Sequence, residues 1–143
     1  MRRIAREDLV KLIFEFTFYD TPNDDTRELF MLDQSLDEDD RDFINNAYFG
    51  IISNVDQLND IIAAHLSGYR LERVYRPDYV ILLIATYELL EKTAPVAVII
   101  NEAVELGKKF GTEKSGGFIN GVLAKIVKYV EARDAARGPQ QQS

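Results

Sequence analysis

The side chains able to do chemistry in this chain are few and poorly matched to catalysis. His65 is the only histidine. In IIAAHLSG it falls at the end of a helical run, where an imidazole can meet the last carbonyls. With no metal co-ligand or nucleophile to orient, its expected role is structural. Glu88 and Glu91, and Glu102 and Glu105, stand one helical turn apart. A dinuclear-metal bundle would want Glu-x-x-His pairs, which are absent, so both pairs read as solvated helix faces. The run SLDEDDRD gathers Asp37, Glu38, Asp39, Asp40 and Asp42 without calcium-loop spacing. It reads instead as a helix start capped by Ser35, with acids at the positive dipole end. GTEKSGG lacks the P-loop spacing, and no strand precedes it. There is no cysteine, which removes disulfides, thiolate metal sites and a thiol nucleophile. No enzyme activity, cofactor or metal is expected.

Two features do point to a ligand. Arg2, Arg3 and Arg6 crowd the start of an acidic chain, where cations oppose the dipole of the helix that follows. They are therefore not placed to stabilise that helix, and the guanidinium fork suits phosphate. Lys11 extends the patch. The second feature is Ser115-Gly116-Gly117-Phe118. Glycines at a helix start leave backbone N–H groups open to an anion, and an aromatic beside them can stack on an unpaired base. The competing reading puts Phe118 in the core, with Gly117, Gly121 and Ala124 as a small-residue row that admits a neighbouring helix.

These residues need helices to position them, and helical periodicity dominates the chain. Leu9, Leu12, Ile13 and Phe16 follow the i, i+3, i+4, i+7 pattern between Ala5 and Tyr19. TPNDD ends that helix, and Thr26 is placed to cap a short one reaching Gln34. The apolar pattern from Phe43 to Leu66 is too long for one ordinary helix, so a break is expected near Ser53-Asn54, with Gly68 as the stop. Pro77 opens a helix to Glu91 and Pro95 one from Val96 to Phe110. Gly111 then serves as a C-terminal cap and Ser115 caps a last helix to Tyr129 or beyond. No strand alternation is convincing. The fold class is all-α with about seven helices, in a single domain over residues 1–132. The tail from residue 133 has no apolar periodicity and is expected to be disordered.

The totals agree with a small helical domain. The chain has 143 residues and a formal charge of −7. That charge excludes a protein that coats nucleic acid without selectivity, though not a local basic patch. No apolar run approaches the ~20 residues needed to span a bilayer, and MRRIARED lacks the apolar core of a secretory signal. A cytoplasmic protein with no membrane partner is expected.

INEAVELGKKFG followed by SGGFINGVL closely resembles the signature of the NusB transcription antitermination family. AREDLVKLIFEF, YRLERV and LLIATYELL extend the resemblance, in order and at matching spacing, from Arg2 to about Val130. The resemblance implies an all-α fold of two packed three-helix subdomains with connecting helices, and no catalysis. It implies pairing with NusE, a small-subunit ribosomal protein, and binding of boxA-type single-stranded RNA in ribosomal RNA operon transcripts. It implies assembly with RNA polymerase into a complex that suppresses termination.

Carried onto this sequence, the family's arginine-rich motif falls on Arg2, Arg3, Ala5, Arg6 and Glu7, shortened and interrupted by Ile4. Its RNA-facing phenylalanine matches Phe118. The preceding position, often lysine in relatives, is Gly117, with Lys114 upstream as a substitute charge and Gly116 between. On the NusE-facing side the matches are Phe14, Glu72 and Asp78. Tyr69 stands where tryptophan is frequent, and Leu83 where arginine is. The alternative from another class is a helical protein–protein module, a homodimer or partner-binding surface, with little RNA affinity. A related helical domain precedes some ribosomal RNA methyltransferase domains, but no such activity is expected of this chain.

Overall fold

The computed structural model describes residues 2–138. Among them are seven α-helices, one short 3-10 turn and no strand: α1 (Arg2–Tyr19), α2 (Asp24–Phe30), α3 (Glu38–Ser53), α4 (Val55–Ala64), α5 (Arg76–Glu91), α6 (Val96–Phe110) and α7 (Ser115–Arg137), with the turn at Leu71–Arg73. No helix in the described residues is long and apolar enough to cross a membrane.

Helix α5 is the axle. Its residues Val80 to Ala85 are all buried, so it lacks the one-sided pattern of a surface helix and is wrapped on every side. Helices α1 and α3 cover one flank, with α2 laid against α1; α6 and α7 cover the other, and α4 bridges α5 and α7. This is the expected pair of three-helix groups, with α4 as the connecting helix.

Local chemistry explains the boundaries and corrects several. The break near Ser53-Asn54 is present: Asn54 leaves helical geometry between α3 and α4, and its amide donates to the Gly50 carbonyl at 2.8 Å. Asn23, not Thr26, caps α2; its side chain accepts from the Thr26 N–H at 3.2 Å, and the helix stops at Phe30. Asp37, not Ser35, caps α3, in a reciprocal box with Asp40. An aspartate three residues before another offers both halves of that box, whereas Ser35 turns back to donate to Asp33. Helix α4 ends at Ala64, four residues before the left-handed Gly68. His65 caps it, its Nδ1 2.7 Å from the Ile61 carbonyl, as the sequence implies.

Ser115 lies inside α7, and Lys114 is the residue before its first turn. The Ser115 hydroxyl accepts from the Thr112 N–H at 2.8 Å and so braces the preceding turn. Gly111 does cap α6, donating to the Gly107 carbonyl at 2.9 Å, but with extended backbone. Its lack of a side chain has a packing reason: a Cβ there would collide with Ser115 and sit 2.8 Å from the Gly107 carbonyl. Helix α7 runs to Arg137, through five residues of the expected tail. Residues 139–143 lie outside the described residues.

One buried carboxyl makes stability depend on pH. Burial pushes Asp8 up from 3.8 to about 6, and the hydrogen bond and charge of Asp33 push the same way. Asp33 goes down, held by bonds from Ser35. The folded chain keeps the Asp8 proton up to about pH 6, the unfolded chain only to 3.8. Stability therefore falls as pH rises through that window. Asp8→Asn should raise the urea midpoint at pH 7 and flatten the profile between pH 4 and 6. An unaltered profile would remove Asp8 as its cause.

Candidate nucleic-acid interface

The N-terminal arginines lie on the first turns of α1, and each has an acidic partner from another helix. Arg2 Nε donates to Asp40 at 3.3 Å, and its guanidinium sits 4.5 Å from the Phe43 ring centre. Arg3 makes a two-pronged contact to Glu102, 3.1 and 2.9 Å. That contact holds the Glu102 carboxyl below its ordinary value. Arg6 is the surprise. Its side chain is 4% exposed and grips Glu88, itself 2% exposed, at 2.9 and 2.7 Å. Thr93 Oγ donates to the same carboxylate at 2.6 Å.

Arg6 is therefore not a projecting phosphate ligand but the staple between α1 and α5. Glu88 and Glu102 are likewise not solvated faces. Periodicity carried a hint of this. Arg6 precedes Leu9 and Ile13 by three and seven positions, and Glu88 follows Ile84 and Ile81 by four and seven. Both charges stand in buried rows. Arg2 and Arg3 remain accessible, and Lys11 is exposed one turn beyond Glu7.

The second edge is the start of α7. Gly117 is exposed, and a side chain added there would meet nothing within 4 Å. Gly116 faces Val104 and Lys108 of α6 instead. The close helix approach therefore uses Gly116 and Gly107; Gly117, Gly121 and Ala124 face open space or solvent rather than a packed neighbour. An open groove of about 770 Å³ follows this seam, and Asn101, Asn120 and Lys108 line it. Phe118 is half-buried and stacked on Tyr69, with ring centres 5.8 Å apart and planes inclined by 27°. Lys114 is exposed just upstream. Helix α6 joins the two edges: Arg3 and Glu7 reach Glu102 and Lys109 on one side of it, and α7 begins beyond its end.

A sequence model of the NusB family matches residues 3–128. This chain belongs to the NusB family. Transcription antitermination protein NusB of Bacillus pumilus is 38% identical over 127 residues, covering 87% of this chain and 93% of that one. The protein of the same description from Bacillus subtilis is 35% identical over 132 residues, covering 91% and 97%. The solved structure of T. maritima NusB superposes with a TM-score of 0.80 at 34% identity, covering 90% of this chain and 91% of that one. The NusB fold recurs at 22% identity, TM-score 0.79, in a structure described as antitermination factors NusB and NusE in complex with dsRNA.

Against the NusB pattern, the partner-side residues divide. Phe14 is exposed, and Phe18, 64% exposed, continues its row one turn on. Arg76 Nη1 donates to the Thr17 carbonyl at 2.8 Å, with its guanidinium 5.7 Å from the Phe18 ring centre. Exposed Glu72 lines a depression that includes Arg76. Asp78 departs from this surface. It is buried, burial raises its pKa, and a bond from Ser115 opposes the rise. Its place is between the starts of α5 and α7, because it shares a helix row with Ile81, Leu82 and Ala85, all buried. Sequence reasoning did not single out Phe18, Tyr19 and Tyr75, which are exposed aromatics; Phe18 and Tyr19 meet edge to face with ring centres 5.1 Å apart.

Gly117 offers a direct experiment. Gly117→Lys should fold normally, since the position is open. It should tighten single-stranded RNA binding and steepen the log–log salt slope by about 0.7, one phosphate contact. A slope identical to that of the parent chain would take position 117 out of the interface.

Proposed function

We propose that this chain is an antitermination factor that binds boxA-type single-stranded RNA together with NusE and helps RNA polymerase read through terminators. The observation that carries this reading is the NusB match across residues 3–128. Arg2, Arg3 and Lys11 supply phosphate contacts; Lys114, Gly116, Gly117 and Phe118 supply charge, open backbone and a stacking ring. Phe14, Phe18 and Glu72 form the face for NusE, while Arg6 and Asp78 act from inside by holding α1 and α7 on α5. Asp40 and Glu102 oppose the phosphates, so binding by this chain alone is weak and salt-sensitive.

The test is a titration of labelled boxA-type RNA with the chain alone and with NusE. NusE should tighten binding, and Arg3→Ala should weaken it. If NusE has no effect and Arg3→Ala changes nothing, the mechanism is wrong. The exposed Phe14, Phe18, Tyr19 and Tyr75 favour one second reading, self-association through this face. Sedimentation showing a dimer that RNA and NusE leave intact would establish it.

A further inference from the structure

The acidic residues of this chain are absent from two segments that lie side by side. Residues 114–130, most of α7, contain Lys114, Lys125 and Lys128 and no acid; residues 61–71, the end of α4 and the loop after it, contain Arg70 and no acid. Three contacts bring the segments together. Phe118 stacks on Tyr69. Lys125 Nζ donates to Ser67 Oγ. Tyr129 packs against His65 with ring centres 5.4 Å apart. At 100° per residue, Lys114, Phe118, Lys125, Lys128 and Tyr129 fall within one sector of about 100° on α7. Their outer surfaces are open: Tyr69 is 41% and Tyr129 39% exposed, and the three lysines and Arg70 are exposed.

We propose that this seam is a second, distal RNA track, which takes the unpaired strand onward from Phe118 toward Tyr129. The proposal rests on the RNA-binding reading above and extends it to a part of the molecule that reading does not use. Alternating aromatic faces and cations is what a single strand requires: rings receive bases, and ammonium and guanidinium groups receive phosphates. Local charge decides the ligand class. An acid-free, cationic strip on a chain of net charge −7 attracts a polyanion at short range while the rest of the surface repels it. Duplex RNA offers no unstacked base to these rings, so the fit is to a single strand. From Phe118 to Tyr129 the helix rises about 17 Å at 1.5 Å per residue. At ~3.4 Å per stacked nucleotide this holds about five nucleotides.

The experiment compares two RNAs on the chain in complex with NusE: a core boxA-type oligonucleotide, and the same core extended at either end by five unpaired uridines. One of the extended forms should bind about tenfold tighter, the yield of roughly one stacked base. That gain should fall to about onefold in the double variant Lys125→Gln/Tyr129→Ala. Equal affinity for core and extended RNA would overturn the track while leaving the RNA reading intact. Failure of the core itself to bind would overturn both. The same gain from an extension closed into a hairpin would show charge attraction without stacking and would also overturn it. A second measurement needs no variant: 4-thiouridine placed in the extension should crosslink to peptides containing residues 65–70 or 125–129, and crosslinks confined to other segments would refute the track.

Discussion

Arg6→Ala should destabilise the fold by about 3–5 kcal/mol, the cost of leaving a buried carboxylate without its partner. Against a typical total of about 5–15 kcal/mol this removes a large share of stability. The damage is concentrated on Glu88, which is 2% exposed and would keep only the Thr93 hydroxyl. Arg6→Lys should recover part of the loss, because one ammonium cannot reproduce two parallel N–H contacts at 2.9 and 2.7 Å. Arg6→Glu would set two buried acids face to face and should do worst. Arg6→Met combined with Glu88→Leu should be milder than Arg6→Ala alone, since it removes both charges and refills the space. Urea unfolding of the four variants checks this order. If Arg6→Ala melts like the parent chain, the staple is not what joins α1 to α5.

The second large effect falls on RNA. Phe118→Leu keeps an apolar contact to the core but removes a flat face, and should weaken boxA-type RNA binding by about tenfold, within the 1–3 kcal/mol range of a base–aromatic stack. Its salt slope should stay that of the parent chain, since no phosphate contact is lost. Arg3→Ala should show the reverse pattern, a smaller loss with the slope reduced by about 0.7. The reduction is modest because RNA must first draw Arg3 away from Glu102, and removing Arg3 also frees that carboxylate near the strand. Affinities at four salt concentrations separate the two. A changed slope for Phe118→Leu would mean that the ring acts by placing a cation rather than by stacking.

These predictions differ from a purely sequence-based set chiefly at Arg6. Patterns that depend on neighbours along the chain were legible. Pro77 and Pro95 placed the starts of α5 and α6, the overlong pattern from Phe43 placed the break at Asn54, and the resemblance named the fold. What depended on a residue far away in sequence was not. Nothing near Arg6 announces Glu88, eighty-two positions on. Asp78 reads as a surface acid until Ser115 arrives from α7. Caps were mislaid by a few positions because several polar residues competed for each one. Ser35 also has an acid three residues on, Glu38, but its N–H and hydroxyl are spent on Asp33, and Asp37 forms the box with Asp40. At α7 the sequence left two readings open, an exposed glycine edge or a packed small-residue row; Gly117 is open, and Gly116 is the glycine that admits a helix.

The wrapped position of α5 also bears on how the chain acquires its shape. Helices α5, α6 and α7 follow one another and pack together, so their closure spans short loops. Helix α1, made first, has its staple on Glu88, close to the far end of the axle. On a ribosome Arg6 would leave the exit tunnel with no carboxylate to receive it until residue 88 has followed, and Arg3 would wait for Glu102. Loop closure across that distance is slow relative to local pairing. We expect a late docking step for α1, visible in pulsed hydrogen exchange as protection of residues 80–90 and 99–126 before that of residues 5–16; simultaneous protection would refute it. In the interval Arg3 and Arg6 are unpaired cations on an undocked helix. The nascent chain would then hold RNA more strongly, and with less discrimination, than the finished one.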